Sequence, residues 1–165
     1  MARFRRAAKV FPVRIAALLV AVLLASLTAS VHAAEATIIK VLPHYLDAEG
    51  RHTLAPSLYE RDAYQAHLRK NPELRKALRF DINWKSPREF RKTDLVLRLE
   101  FLTSNSETGK PTVINTPVKG TGWSGGWTAV SLTPEQFKQA GKIISWRATL
   151  WHGELQLAEQ RSFLW

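Results

Sequence analysis

The stretch Leu78-Arg-Phe-Asp-Ile-Asn-Trp84-Lys-Ser-Pro87 decides the fold. Leu78, Phe80, Ile82 and Trp84 fall on one face and Arg79, Asp81, Asn83 and Lys85 on the other. That is the period-two alternation of a strand with one side in a core and the other toward water. Ser86-Pro87 then breaks the pattern, because proline brings no amide to a ladder. The same alternation returns in Leu95, Leu97, Leu99 and Phe101, with Arg98 and Glu100 outward. Further strands are predicted over 37–42, 112–119, 127–132, 142–151 and 155–164, which makes seven. Polar or glycine-bearing breakers separate them, including 104–110 and His152-Gly153, the latter read as a two-residue hairpin turn.

One helical stretch interrupts the strands, after the first. Ser57 and Glu60 stand at capping-box spacing, and Tyr64 and Leu68, four apart, are expected to share its buried face. Asn71-Pro72 is read as the end of this helix and the cap of a short second one reaching Ala77. Thr133-Pro134-Glu135-Gln136 repeats the cap, proline and capping-box signature. Seven strands without a parallel βαβ rhythm predict a mainly β, antiparallel sandwich, with a short helical insertion over residues 57–77.

On these residues the chain resembles the immunoglobulin-like sandwiches of the fibronectin type III kind. The run from Leu78 to Pro87 is similar to their second strand, where a core Trp precedes a proline-bearing turn. The run Leu132-Thr-Pro-Glu-Gln-Phe137 before Lys142-Ile-Ile-Ser-Trp146-Arg-Ala-Thr-Leu150 resembles their strand E to strand F corner. The likeness covers residues 78–165. It departs from the family in carrying Phe137 where a corner Tyr is expected and in inserting helices after the first strand. It implies an adhesive, linking or ligand-presenting module.

Residues 1–33 have the order of a secretory signal peptide. Arg3, Arg5, Arg6, Lys9 and Arg14 precede the apolar run 15–27, and Val31-His32-Ala33 offers small residues for cleavage. The protein is expected to be exported in bacterial fashion to the periplasm or outside the cell, with the mature chain starting at Ala34. The alternative is an uncleaved anchor over residues 15–34, since no charge occurs between Arg14 and Glu35. Cysteine is absent, which excludes a disulfide framework, thiolate metal sites and a Cys nucleophile. The formal charge of +10 is partly carried by the signal. Downstream of it, residues 61–92 hold ten basic and four acidic side chains, so an anionic partner should meet this segment.

Six tryptophans lie beyond the signal. Trp84 and Trp146 lie on apolar strand faces and are assigned to the core, while Trp151 shares a face with Arg147 and is expected to stack with it. Trp123 and Trp127, in Thr121-Gly-Trp-Ser-Gly-Gly-Trp127, sit in a glycine-rich loop able to present their rings to a sugar or aromatic ligand. The competing reading has them cover one end of the sandwich. His44, Asp47, Glu49 and His52 are read as a solvated turn, for no metal-ligand spacing such as H-E-x-x-H joins them. His67 and His152 are isolated. No nucleophile elbow, P-loop or dinucleotide fingerprint occurs, so no cofactor, metal or catalytic residue is assigned.

Arg61, Arg69, Lys70, Arg75 and Lys76 are candidates for contact with anionic lipid head groups or acidic wall polymers, against the plainer reading of a solvated cationic surface. Interleaved acids and export argue against nucleic acid. The leading expectation is a non-enzymatic exported immunoglobulin-like domain that binds a protein or envelope component. The second is a carbohydrate-binding module using Trp123 and Trp127, and the third a small hydrolase.

Overall fold

Seven strands form two antiparallel sheets in the computed structural model, which describes residues 35–106 and 109–165. The strands are β1 (Thr37–Leu46), β2 (Ala77–Lys85), β3 (Asp94–Thr103), β4 (Thr112–Lys119), β5 (Gly126–Ser131), β6 (Ile143–His152) and β7 (Leu155–Arg161). One sheet has the order β1-β2-β5 and the other β4-β3-β6-β7. Two helices, α1 (Leu58–Lys70) and α2 (Pro134–Ala140), join them with short 3₁₀ turns at Pro72–Leu74, Arg88–Phe90 and Gly122–Ser124. The signal peptide read over 1–33 and the alternative anchor over 15–34 lie outside the described residues. Among the described residues no helix is long and apolar enough to cross a membrane.

The alternation read in β2 is the one the fold uses. Leu78, Phe80, Ile82 and Trp84 are buried, as are Leu95, Leu97, Leu99 and Phe101 of β3. These two rows come from different sheets and form one core with Val41, Val130, Ala148 and Leu150, an arrangement compatible with a β-sandwich. Phe80 and Phe101 stack across it with ring centroids 6.1 Å apart. Trp84 buries its indole and satisfies Nε1 by donating to Thr128 Oγ1 at 2.9 Å, as a buried Trp must. Trp146 packs against the same core but is only partly buried.

The caps form where the sequence marks them. Ser57 Oγ accepts from the Glu60 amide, and Thr133 with Gln136 completes a reciprocal capping box at α2. Past Asn71 the chain makes one 3₁₀ turn and enters β2 at Ala77, in place of the expected second helix.

Three expectations are corrected. The first strand does not stop at Leu42; it runs through Pro43 and His44 to Leu46, which the order β1-β2-β5 permits because a proline is tolerated on an edge strand. Trp151 lies under Arg98, 4.8 Å from guanidinium carbon to ring, while Arg147 takes Trp165 at 5.0 Å and grips Glu100 with two hydrogen bonds. The terminal hairpin turns one residue later than His152-Gly153. His152 pairs Leu155 around Gly153-Glu154, with φ of +56° at Gly153, as a type II′ turn requires at its first central residue. Leu157 is then an extra residue in β7, a bulge that shifts the phase and leaves Glu159 and Arg161 exposed.

Candidate functional site

The outer face of the small sheet divides into a covered half and an open half. Outward residues of β2 face outward residues of its neighbours: Arg79 opposite His44 and Ser131, Asp81 opposite Leu42 and Ala129, Asn83 opposite Lys40 and Trp127. His52, on the segment between β1 and α1, covers the His44 and Arg79 part of the first of these rows, while Ser131 stays exposed.

Under that cover lies a polar cluster that the sequence reading places in a solvated turn. His44 is buried on β1, and its Nδ1 lies 2.9 Å from Asp81 Oδ2, which as a carboxylate oxygen must accept. Arg79 Nη2 donates to the same oxygen at 2.9 Å and to His52 Nδ1 at 3.1 Å. The two imidazole centroids are 5.0 Å apart. Burial alone would raise the Asp81 pKa, but the hydrogen bonds from His44 and Arg79, reinforced by their charges, lower it. His52 is held below its ordinary value by burial, and then by the charges of Arg79 and His44. Ligand-type atoms of His44, His52 and Asp81 lie within 4.8 Å of one another, so one ion could reach all three. The Arg79 guanidinium, however, already supplies the positive charge there, and a divalent ion would have to displace it.

The actual turn is Asp47 to Gly50, and Asp47 organises it. Its Oδ1 accepts from the amides of Glu49 and Arg51, and its Oδ2 accepts from Arg51 Nε and from Tyr64 Oη of α1 at 2.6 Å. Burial opposes ionisation, yet these donors outweigh it and bring the Asp47 pKa down to about 2. Four donors on one carboxylate thus fasten the turn to the helix.

The open half carries Trp127, which lies on β5 and not in the loop expected of it, and is bordered by Trp123; the two are 58% and 65% exposed. Trp127 stands on the sheet face opposite Asn83. Trp123 sits beyond it on the Gly122–Ser124 turn, which is tied to the segment after β2. The Lys92 amide donates to Gly120 O and the Gly120 amide to Thr93 O, each at 2.9 Å. The buried Ser86 hydroxyl accepts from the Gly122 amide at 3.0 Å. Backbones approach so closely that a Cβ on Gly120 would fall 1.7 Å from Phe90 O. Lys92 is held at φ +64°, a conformation that costs a side-chain-bearing residue energy unless its surroundings impose it. The result is a fixed platform with the Arg88 guanidinium carbon 4.5 Å over the Trp123 ring. Trp123 lines one cleft of about 480 Å³ with Arg88, Arg91, Thr121 and Ser124, and a second of about 200 Å³ with Glu35, Lys85 and Ser86.

The five basic residues read as an anionic-partner surface are dispersed. Arg61 pairs with Asp62, and Arg69 and Lys70 are exposed in the last turn of α1. Arg75 lies over the Tyr45 ring and donates to the carbonyls of Leu68 and Arg69, while Lys76 Nζ donates to Glu73 O. The latter two thus serve the carbonyl ends of helical turns. Sequence reasoning missed Arg88 and Arg91, although Pro87-Arg-Glu-Phe-Arg91 spaces them three apart, the repeat of a 3₁₀ turn. Compared with described protein families, with curated proteins and with solved structures, the chain matches none.

Proposed function

We propose that the protein is an exported, non-enzymatic module of the immunoglobulin-like, fibronectin type III kind that binds a component of the cell envelope. The observation that carries this reading is the platform: two exposed indoles, Trp123 on a turn fastened by Ser86, Lys92 and Gly120 and Trp127 on the adjoining strand β5, where packing alone would bury such rings. The fold part is supported by strand order, since β1-β2-β5 and β4-β3-β6-β7 correspond to the A-B-E and C′-C-F-G sheets of that architecture. A non-enzymatic role is supported by the polar cluster, where Asp81 Oδ2 is already engaged by both His44 and Arg79 and the Arg79 guanidinium occupies the place of a bound cation, although Arg79 Nε is buried there without a partner. The glycan-binding form of this reading is favoured by both rings being presented to solvent, as stacking on a pyranose requires.

Co-sedimentation with isolated envelope material tests it. The protein should sediment, and Trp123→Ala and Trp127→Ala should each weaken the association while leaving the melting temperature nearly unchanged. Periodate treatment of the envelope should abolish binding if the partner is a glycan, and protease treatment if it is a protein. Equal sedimentation of the double variant would defeat the reading. Export is tested separately by intact mass: protein recovered from the envelope should begin at Ala34.

A further inference from the structure

We propose that the cleft formed by Arg88, Arg91 and Trp123 binds a saccharide bearing an anionic substituent, a carboxylate or phosphate on a pyranose ring. This rests on the envelope-binding reading above and names the chemistry of its ligand.

Three observations converge. First, Arg88 and Arg91 belong to one 3₁₀ turn, with the Arg91 amide donating to Arg88 O at 3.0 Å; residues three apart on such a turn eclipse, so both project to the same side. Both are exposed, and among the described residues neither makes an ion pair; the acids nearby are Glu89, Asp94, which is paired with Lys119, and Glu35, which lines the smaller cleft on Trp123 beside Lys85. Two guanidiniums lining one cleft suit a carboxylate or phosphate better than ammonium groups would, because each planar fork can pair with two oxygens. Second, Arg88 lies against the Trp123 ring, which fixes the guanidinium while the indole stays largely exposed for a sugar face. Third, Thr121 and Ser124 add hydroxyl side chains to the lining, and the volume of about 480 Å³ is that of a small-ligand cleft.

That makeup favours a hydroxylated, charged ring over an acidic protein. The lining offers one ring, two cations and two hydroxyls, without the apolar centre on which protein partners spend most of their contact. The fastening of the two loops means that these groups are in place before the ligand arrives, so little ordering opposes binding.

Isothermal titration of the protein against four probes tests the proposal: oligogalacturonate for carboxylates, phosphomannan for phosphates, cellohexaose as neutral sugar and polyphosphate as charge without sugar. One or both anionic saccharides should bind, and whichever binds identifies the source of the charge. Binding should weaken with added salt. Trp123→Ala and the pair Arg88→Ala with Arg91→Ala should each weaken it about tenfold or more, and Arg88→Lys should fall between wild type and the pair. Unchanged melting temperatures would exclude misfolding as the cause. Cellohexaose binding as tightly as the anionic sugars overturns the proposal, as does polyphosphate binding that ignores Trp123→Ala, or no saccharide binding at all. If envelope sedimentation persists in that last case, only the ligand assignment falls; if it too is lost, the underlying reading falls with it.

Discussion

The Gln65 side chain of α1 hydrogen-bonds both backbone groups of Tyr45 on β1. Oε1 accepts from the Tyr45 amide and Nε2 donates to its carbonyl, each at 2.9 Å, and Nε2 donates also to His52 O at 2.8 Å. A single amide side chain therefore does for the strand what a neighbouring strand would do, and simultaneously holds the segment that carries His52.

Gln65→Ala should destabilise the domain by about 2–3 kcal/mol, because it strips partners from three backbone groups at a poorly hydrated site. Gln65→Glu should be worse at neutral pH, since a carboxylate cannot donate to the two carbonyls. Urea denaturation gives the energies, and hydrogen exchange at the Tyr45 amide should accelerate in both variants. Exchange no faster than in the wild type would remove the clamp from the account.

Stability should fall in two steps as pH is lowered. His52 has a folded pKa below its unfolded value near 6.5, so below that pH the unfolded chain takes up a proton that the folded one resists, and stability declines. Asp47 and Asp81 also have depressed pKa values, so their contribution is complete above an unfolded value near 3.8 and is lost on further acidification, for Asp47 toward about 2. His52→Gln should flatten the upper step alone, and Asp47→Asn the lower one. A single transition unaffected by either substitution would contradict the assignment.

Trp84→Ala should cost about 3–5 kcal/mol, for it empties a fully buried site and orphans Thr128 Oγ1. Trp123→Ala should cost under about 1 kcal/mol, the worth of one exposed cation–π contact. The contrast between the two, measured by chemical denaturation, separates a tryptophan of the core from one displayed by it.

Gly120→Ala should disrupt the platform, because its new methyl group must push away the Phe90 carbonyl and with it the Lys92 and Thr93 hydrogen bonds. The expected loss is about 3 kcal/mol or more, at the upper end for overpacking. Gly122→Ala meets nothing closer than 3.7 Å and carries only the backbone cost of φ +65°, on the order of 1 kcal/mol. Limited proteolysis between residues 86 and 125 should detect opening in the first variant and little in the second.

What was legible in the chain was what depends on neighbours in sequence. The faces of β2 and β3 and the caps at Ser57 and Thr133 come from alternation and spacing. The polar cluster was not legible, because Pro43-His44 reads locally as a stop; only the edge position of β1, a tertiary fact, lets the strand pass through the proline and bury His44 under α1. The platform was half legible. The glycines around Trp123 left a displayed ring and one covering the end of the sandwich both open, and Ser86, Phe90 and Gly120 meet only through long-range docking, so the two arginines beside the ring went unread.

The first half of β1 carries a second irregularity, Ile39, the extra residue where pairing with β2 shifts between Ile38 and Lys40. With Gln65 occupying the backbone at Tyr45 and a bulge twisting the strand at Ile39, no long straight run of free amides and carbonyls is left along this edge for another chain to extend. The domain is thereby guarded against growing into its own copies by strand addition along β1, a protection that the proposed place in a crowded cell envelope would call on. The same two features tell an engineer which residues to leave alone when the protein must be concentrated.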